Sequence, residues 1–158
     1  MKKLLSLILA TCAVGFINAE SITLDNGADN TAILEQYDGQ TVDVTILNVF
    51  FEGPIALTLP FDLDDFTGTP LEGANIFKLV DSYIMNKQSG TDSIYFCMQE
   101  VTNIEAGTPY IAINVPEDVP SATFNGVVVK AALHPTVTHE VDFIPTYAKG
   151  EMLAPRRT

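Results

Sequence analysis

Cysteine and tryptophan are scarce in this sequence of 158 residues, which has two cysteines and no tryptophan. Cys12 falls in an apolar N-terminal run, and Cys97 is the only cysteine that follows it. Once that run is removed, no internal disulfide can form, so the hydrophobic core must hold the fold. Cys97 lies in a strand-like stretch without a neighbouring base, which favours a buried structural role over that of a nucleophile.

Basic residues are also few, because eight Lys and Arg accompany 20 Asp and Glu, for a formal net charge of −12. Nucleic-acid binding needs clustered Lys and Arg that displace counterions from phosphates. The composition therefore predicts no nucleic-acid partner. The excess of acidic residues favours solubility outside the cell, but it does not by itself predict a calcium site, which requires carboxylates that converge on one point.

Motifs of the common catalytic classes are absent as well. The sequence contains no Gly-x-Ser-x-Gly elbow, phosphate loop, dinucleotide fingerprint, His-Glu-x-x-His pair or Cys-x-x-Cys pair. A carboxylate pair for glycoside hydrolysis could be drawn from many turn residues, and none is set apart from the others. We therefore expect no enzyme activity, no catalytic residue and no cofactor.

His134 and His139 are the only histidines. In a strand over residues 136–144, the His139 side chain would share the apolar face, whereas Glu140 and Asp142 would point to the opposite face. A transition-metal site needs imidazole and carboxylate ligands that converge. The alternation therefore favours a structural role for both histidines.

The longest apolar run lies at the N-terminus, over residues 4–17, directly after two lysines. A positive start, an apolar centre and the small-residue context at Asn18 and Ala19 are typical of a secretory signal peptide cleaved after Ala19. The run is shorter than the roughly 20 residues of a membrane-spanning helix. The sequence therefore predicts export and no transmembrane segment.

Lipidation of Cys12 is the alternative fate of this leader. It is disfavoured because Thr11 stands before the cysteine, where Gly, Ala or Ser is usual. We expect an extracellular or outer-surface protein, with the periplasm as an open alternative. The expected organisation is a signal peptide over residues 1–19, a β-sandwich domain over residues 20–148 and a flexible tail over residues 149–158.

Apolar residues recur with a period of two along most of the chain, which is typical of half-buried β-strands. Candidate strands cover residues 21–24, 41–46, 55–61, 74–84, 93–101, 110–115, 122–131 and 136–144. Short Gly, Asn, Asp and Pro clusters between them indicate turns and leave little chain for helical crossovers. The pattern predicts an all-β fold, an antiparallel β-sandwich of about seven or eight strands.

Two local features modify this pattern. One short helix is expected over residues 30–37, where Asn30 would cap the start and Gly39 would end it. Near Asn48 the apolar positions change from even to odd over residues 47–51. Such a change indicates either a β-bulge or passage of the chain from one sheet to another.

Asp62, Asp64 and Asp65 are the best local candidates for a cation site. They follow an expected strand end, and their carboxylates together with backbone carbonyls could supply oxygen ligands to Ca²⁺. The EF-hand spacing is missing, and Asp also forms turns through bonds to its own backbone. Calcium binding at these three residues is therefore a hypothesis beside the simpler interpretation as turn residues.

Six segments share a pattern with one known module. They are residues 25–30 (DNGADN), 37–45 (YDGQTVDVT), 59–62 (LPFD), 70–74 (PLEGA), 104–111 (IEAGTPYI) and 124–127 (FNGV). Together they resemble a β-rich repeat module of secreted and surface proteins in Bacteroidetes bacteria. The resemblance implies an envelope or extracellular location but no biochemical activity. Residues 54–58 depart from it, because a Trp-Asn-Thr run and a cysteine are common there in the family.

Two function classes follow from these observations. The first is a secreted or cell-surface structural and interaction module of the adhesion type, which would offer a partner an exposed apolar patch or an open edge strand such as residues 55–59. The alternative is a glycan-binding accessory module, which would need two or more exposed tyrosines with polar neighbours. The five tyrosines are scattered along the sequence, and the absence of tryptophan disfavours the alternative.

Overall fold

The computed structural model describes residues 20–48, 54–86, 92–115 and 121–148. Within them lie one helix, α1 (Thr31–Tyr37), and the strands β1 (Glu20–Asp25), β2 (Thr41–Leu47), β3 (Ile55–Leu57), β4 (Asn75–Asn86), β5 (Asp92–Val101), β6 (Tyr110–Ile113), β7 (Ser121–Val128), β8 (Thr136–Val137) and β9 (Asp142–Phe143). The predicted all-β fold with one short helix is confirmed. The expected leader and tail lie outside the described residues.

The strands form two main sheets and one separate pair. Sheet A has the order β1-β2-β7 and sheet B has the order β3-β6-β4-β5, while β8 pairs with β9. All pairs are antiparallel except β1 with β2. The one helix within the described residues, α1, is not long and apolar enough to cross a bilayer.

The parallel pairing of β1 with β2 corrects the expectation that no helical crossover occurs. Parallel neighbours need a connection of a dozen or more residues, and residues 26–40 supply it with α1 in the middle. Leu34 fixes the helix to the core, because its side chain is fully buried. Gly39 follows the helix with a φ of 76°, a left-handed conformation that fits its predicted role as a helix terminator.

Asn30 precedes α1, but its side chain does not cap the helix. Its Oδ1 accepts a hydrogen bond from the backbone N–H of Asp25 at 3.0 Å, and its Nδ2 donates to the carbonyl oxygens of Asp25 at 2.9 Å and Tyr147 at 3.1 Å. Asp29 Oδ1 instead accepts from the N–H of Thr31 at 2.9 Å. Asn30 therefore holds the predicted N-cap position, but the predicted capping bond of its side chain is wrong, because Asp25 and Tyr147 occupy the amide.

The phase change near Asn48 corresponds to a change of sheet, since β2 belongs to sheet A and β3 to sheet B. Asn48 has a left-handed φ of 58° and donates from Nδ2 to Asp25 Oδ1 at 2.7 Å. The irregularity of the β2 ladder lies earlier, between Val42 and Val44. Most of the odd-position pattern, residues 49–51, lies outside the described residues.

The core lies between the two sheets and contains buried residues of strands, of α1 and of the connecting segments. Its largest fully buried side chains include Phe61, Leu34, Leu59, Leu71, Ile76, Ile104, Val42 and Val44. Phe61 meets Phe124 of β7 with ring centroids 4.9 Å apart. Strand β3 ends before Pro60, which cannot donate to a ladder, so residues 58–61 enter the core as an irregular segment.

The strand expected over residues 136–144 is instead the short hairpin β8–β9. The backbone N–H of Thr138 donates to the carbonyl of Val141 at 3.2 Å, and the N–H of Val141 donates to the Thr138 hydroxyl at 3.3 Å. These bonds close a turn that contains His139. The predicted position of His139 on an apolar strand face is therefore wrong, and its side chain is 84% exposed.

Candidate functional site

Strands β4 and β5 form a ribbon that extends beyond the rest of sheet B. β6 pairs with β4 only from Asn75 to Lys78, whereas β5 pairs with β4 from Ile76 to Asn86. Beyond Lys78, β5 is the only ladder partner of β4 among the described residues. Beyond Lys78 the ribbon is therefore a two-stranded extension of sheet B within the described residues.

The ribbon carries most of the exposed large apolar side chains. Six of the eleven such residues in the described chain lie on it, each 43–50% exposed: Val80, Tyr83, Ile84, Met85, Ile94 and Phe96. We call these six residues the ribbon surface. Exposed apolar residues are typical of interaction sites when they are contiguous, and on the ribbon they occur on both faces: Tyr83 on one, and Ile84, Ile94 and Phe96 on the other.

One face of the ribbon is aromatic. Tyr83 and Tyr95 are directly opposite on the two strands, and their rings stack with centroids 5.2 Å apart and planes 6° from parallel. Such a pair contributes about 0.5–1.5 kcal/mol beyond its burial. The glycan hypothesis asks for exposed tyrosines with polar neighbours. In the ribbon, the two rings stack on each other, so one face of each ring is already covered. Their neighbour on the same side of the ribbon, Met85, is apolar and not polar.

The opposite face is partly covered by the hairpin β8–β9. Ser82 is fully buried there, and its Oγ lies 2.5 Å from Oγ1 of Thr138. The ring of Phe96 meets Phe143 of β9 edge-on at 5.8 Å. Ile94 lies beyond these contacts and is 45% exposed. The hairpin therefore supports the base of the ribbon and leaves the rest of this face open.

His139 joins the same hairpin to β4 through Asp81. Its Nδ1 lies 3.0 Å from Asp81 Oδ1, and this contact raises the pKa of His139 and lowers that of Asp81. Of the carboxylates considered beside His139 in the sequence, neither Glu140 nor Asp142 forms a hydrogen bond with it, although the charge of Glu140 also raises the pKa of His139. Asp81 was missed because the contact links residues 58 positions apart.

A second feature is an open groove of about 680 Å³, which we call the loop groove. Its lining consists of Asp62, Asp64, Lys78, Asn103, Ile104, Glu105, Ala106, Thr108, Lys130, His134, Pro135 and Thr136. Backbone hydrogen bonds join its loops: the Leu63 N–H donates to the Ile104 carbonyl at 2.9 Å, and the His134 N–H donates to the Gly107 carbonyl at 2.9 Å.

Gly107 is essential to this loop packing. Its φ is 70°, and a Cβ placed on it would lie 2.0 Å from the carbonyl oxygen of Ala132. No real side chain tolerates such an approach, so the loops that carry Glu105 and His134 can meet only because position 107 has no side chain. The glycine turns predicted from the sequence thus include one that determines the shape of the groove.

Both lysines whose side chains the structure describes line the loop groove, and each pairs with a carboxylate. Lys78 Nζ lies 3.3 Å from Glu105 Oε2, and Lys130 forms an ion pair with Asp62. Lys130, and then the backbone N–H of Ala106, hold the pKa of Asp62 below its usual value. Exposed pairs of this kind contribute about 0–1 kcal/mol to stability. Their main effect is therefore to position the charged side chains that line the loop groove.

The three calcium candidates are only partly brought together. Asp62 and Asp64 both line the loop groove, whereas Asp65 Oδ1 accepts a hydrogen bond from the N–H of Thr67 at 2.8 Å and so forms a turn. Asp62 is already paired with Lys130. No group of three or more His, Cys, Asp and Glu that could hold a metal occurs in the part of the chain that the structure describes.

The edge strand proposed from the sequence, residues 55–59, is present but modest. β3 lies at one edge of sheet B, and it is three residues long. Ile55 and Leu57 are half-buried and pack against the core, where β3 also borders a small apolar cavity of about 150 Å³. The longer open edge is β5. Sequence reasoning missed it, although residues 93–99 contain no charged residue.

No protein-family model, curated protein or solved structure matches the chain. The resemblance to the Bacteroidetes module therefore stays a prediction. Function has to be argued from the two surfaces themselves.

Proposed function

We propose that the chain is an exported interaction module of the adhesion type, which binds a protein partner through the ribbon surface. The apolar leader over residues 1–19 supports export. The observation that carries the proposal is the concentration of exposed apolar side chains on the ribbon, in a chain that is otherwise strongly acidic. A partner that covers them removes apolar area from water.

Covering the ribbon surface would contribute favourable free energy to binding. Full burial of a large apolar side chain contributes about 1.5–3 kcal/mol. The residues of the ribbon surface are about half exposed, so covering each one further contributes about 1 kcal/mol. A few of them on one face acting together would give a favourable contact, with Phe96 as the central anchor of the face that also carries Ile84 and Ile94.

Capture from a bacterial envelope fraction tests the proposal with matched variants. The double variant Ile84→Thr/Ile94→Thr removes two apolar side chains from the ribbon and keeps β-branched residues in the strands. The control Leu47→Thr/Val128→Thr removes two similarly exposed residues from sheet A. We expect a partner that the unchanged chain and the control both retain and that the ribbon variant retains at least tenfold less. Equal retention by all three proteins would rule the ribbon out as the contact surface.

Glycan binding at the loop groove is the second candidate, favoured by the groove's mixed lining. Lysine ammonium groups, the Asn103 amide and carboxylates together offer the donors and acceptors that sugar hydroxyls require. A glycan array tests it with the variants Lys78→Met and Asp64→Asn. Sugar binding that these variants abolish and Ile84→Thr/Ile94→Thr preserves would favour this candidate over the ribbon. An array without reproducible binding would remove it.

A further inference from the structure

Among the described residues, no strand pairs with the outer edge of β5 along its length. The order of sheet B places β5 beside β4 on one side and at the edge on the other, and its ten residues span about 33 Å. Monomeric proteins usually protect such an edge with Lys, Pro or a bulge. β5 contains neither Lys nor Pro, and the irregularity of this ladder lies on β4, between Leu79 and Asp81.

The charges of β5 form a simple pattern. Residues 93–99 are uncharged, and the only charged residues of the strand are Asp92 and Glu100, one near each end. The carboxylate of Glu100 accepts a hydrogen bond from the neutral amide of Asn75 at 2.7 Å, so no basic group neutralises it within the described residues. The open edge is therefore an apolar segment between two negative ends.

We propose that the partner adds a β-strand to the free edge of β5, and that this strand has an apolar centre with a Lys or Arg at each end. The inference rests on the proposed function and specifies the chemistry of the partner. Main-chain hydrogen bonds to the open edge supply affinity, and alternate side chains supply specificity. The added strand would contact Ile94 and Phe96 on one face of the sheet and Tyr95 on the other.

A second copy of this chain fits the same edge poorly. Antiparallel pairing of two β5 strands would bring Asp92 of each copy to the Glu100 end of the other, and parallel pairing would bring like ends together. Like charges on neighbouring strands are destabilising. Two chains with a formal charge of −12 each also repel one another. The pattern therefore favours a different partner with basic flanks.

Three synthetic peptides test the inference against the purified full chain by fluorescence anisotropy. The first has the sequence Lys-Thr-Val-Thr-Val-Tyr-Val-Thr-Lys. The second replaces both terminal lysines with Glu, and the third keeps the lysines but is N-methylated at alternate residues, so that it cannot pair along one edge. We expect the first peptide to bind at least tenfold more tightly than either of the others. Its affinity should also fall as salt is raised, because charge pairing contributes.

Charge reversal on the protein provides the matched variants. Glu100→Lys leaves one negative end, Asp92, and creates one positive end, so it should abolish the preference and the two peptides should bind this variant about equally. Glu35→Lys changes an exposed residue of α1 by the same charge and should leave the preference unchanged. Equal binding of both peptides to the unchanged chain, or an equal effect of the two variants, would refute the proposed end charges. Full binding of the N-methylated peptide would refute strand addition.

The outcomes separate this inference from the proposed function. Failure of the peptides together with loss of envelope capture in Ile84→Thr/Ile94→Thr would leave the interaction module in place and overturn strand addition alone. Retained capture by that variant would overturn the proposed function itself. Sedimentation would detect a dimer that forms as the protein concentration rises. If Phe96→Lys abolishes that dimer, the edge of β5 binds a second copy of the chain, and the proposal of a partner with basic ends is overturned.

Discussion

Replacing Gly107 with alanine tests the packing of the loops around the groove. A left-handed φ costs a residue with a side chain about 1–2 kcal/mol. The new Cβ would also displace the loop from the Ala132 carbonyl oxygen, which lies 2.0 Å from its ideal position. That shift weakens the hydrogen bonds from the Gly107 N–H to Leu59 at 2.8 Å and from the His134 N–H to Gly107 at 2.9 Å, each with a net contribution of about 1 kcal/mol.

These contributions predict that Gly107→Ala lowers the free energy of unfolding by about 3–4 kcal/mol. For a domain of this size, each kcal/mol corresponds to a fall of about 4 °C in Tm, so thermal unfolding followed by circular dichroism should show a fall of about 12–16 °C. Gly68 provides the control, because its φ is also 70° but nothing lies within 4 Å of an added Cβ. Gly68→Ala should lower the free energy of unfolding by only about 1–2 kcal/mol.

The difference in Tm between the two glycine variants decides the test. If Gly107→Ala and Gly68→Ala lower Tm equally, the close approach to Ala132 has no energetic consequence and the account of the groove is wrong. Urea denaturation should give the same ranking through the midpoint, with the slope unchanged.

Three further outcomes are expected. Phe61→Ala should lower the free energy of unfolding by about 3–5 kcal/mol in urea, because the fully buried ring leaves a cavity; a smaller loss would mean that the core can collapse around it. NMR titration should give His139 a pKa above 6.5 that falls in Asp81→Asn. The pair stabilises the fold below about pH 6.5 and above about pH 3.8, and it is lost as pH rises through the raised His139 pKa or falls through the lowered Asp81 pKa. Burial raises the pKa of Tyr147 to about 12. The contribution of the neutral, buried phenol to stability is therefore present below pH 10 and lost as pH rises towards 12. Tyr147→Phe should remove the last tyrosine ionisation seen by ultraviolet absorbance.

β1 and β2 could be located from the sequence almost to the residue, whereas the expected strands over residues 55–61, 110–115 and 122–131 extend two to four residues beyond the ends of β3, β6 and β7. β1 and β2 differ from the expected ranges by one residue at most ends, because burial of alternate side chains leaves a period of two in the sequence. The same signal failed over residues 136–144. Alternation there is interrupted by a turn whose bonds come from Thr138 and Val141, and neither residue is a typical turn former.

Strand pairing and the candidate surfaces could be predicted less well from the sequence than the strands themselves. Nothing local distinguishes a parallel β1–β2 pair from an antiparallel one, since the partner of an edge strand is set by tertiary packing. Asp62 was proposed as a calcium ligand, but its partner Lys130 lies 68 positions away, so the ion pair leaves no sequence motif. The ribbon surface did leave a signal, the uncharged run over residues 93–99, which the search for alternating strands passed over.

The side-chain amide of Asn30 has a mechanical consequence. It fastens the Asp25 end of β1 to Tyr147, near the other end of the described chain, while Glu20 lies about 20 Å away at the opposite end of the strand. A pulling force applied at residues 20 and 148 would therefore act along β1. Because the backbone joins Glu20 to Asn30, the load would pass to the two hydrogen bonds that Asn30 donates to the Tyr147 carbonyl, and the β1–β2 ladder would lie outside the path of the force.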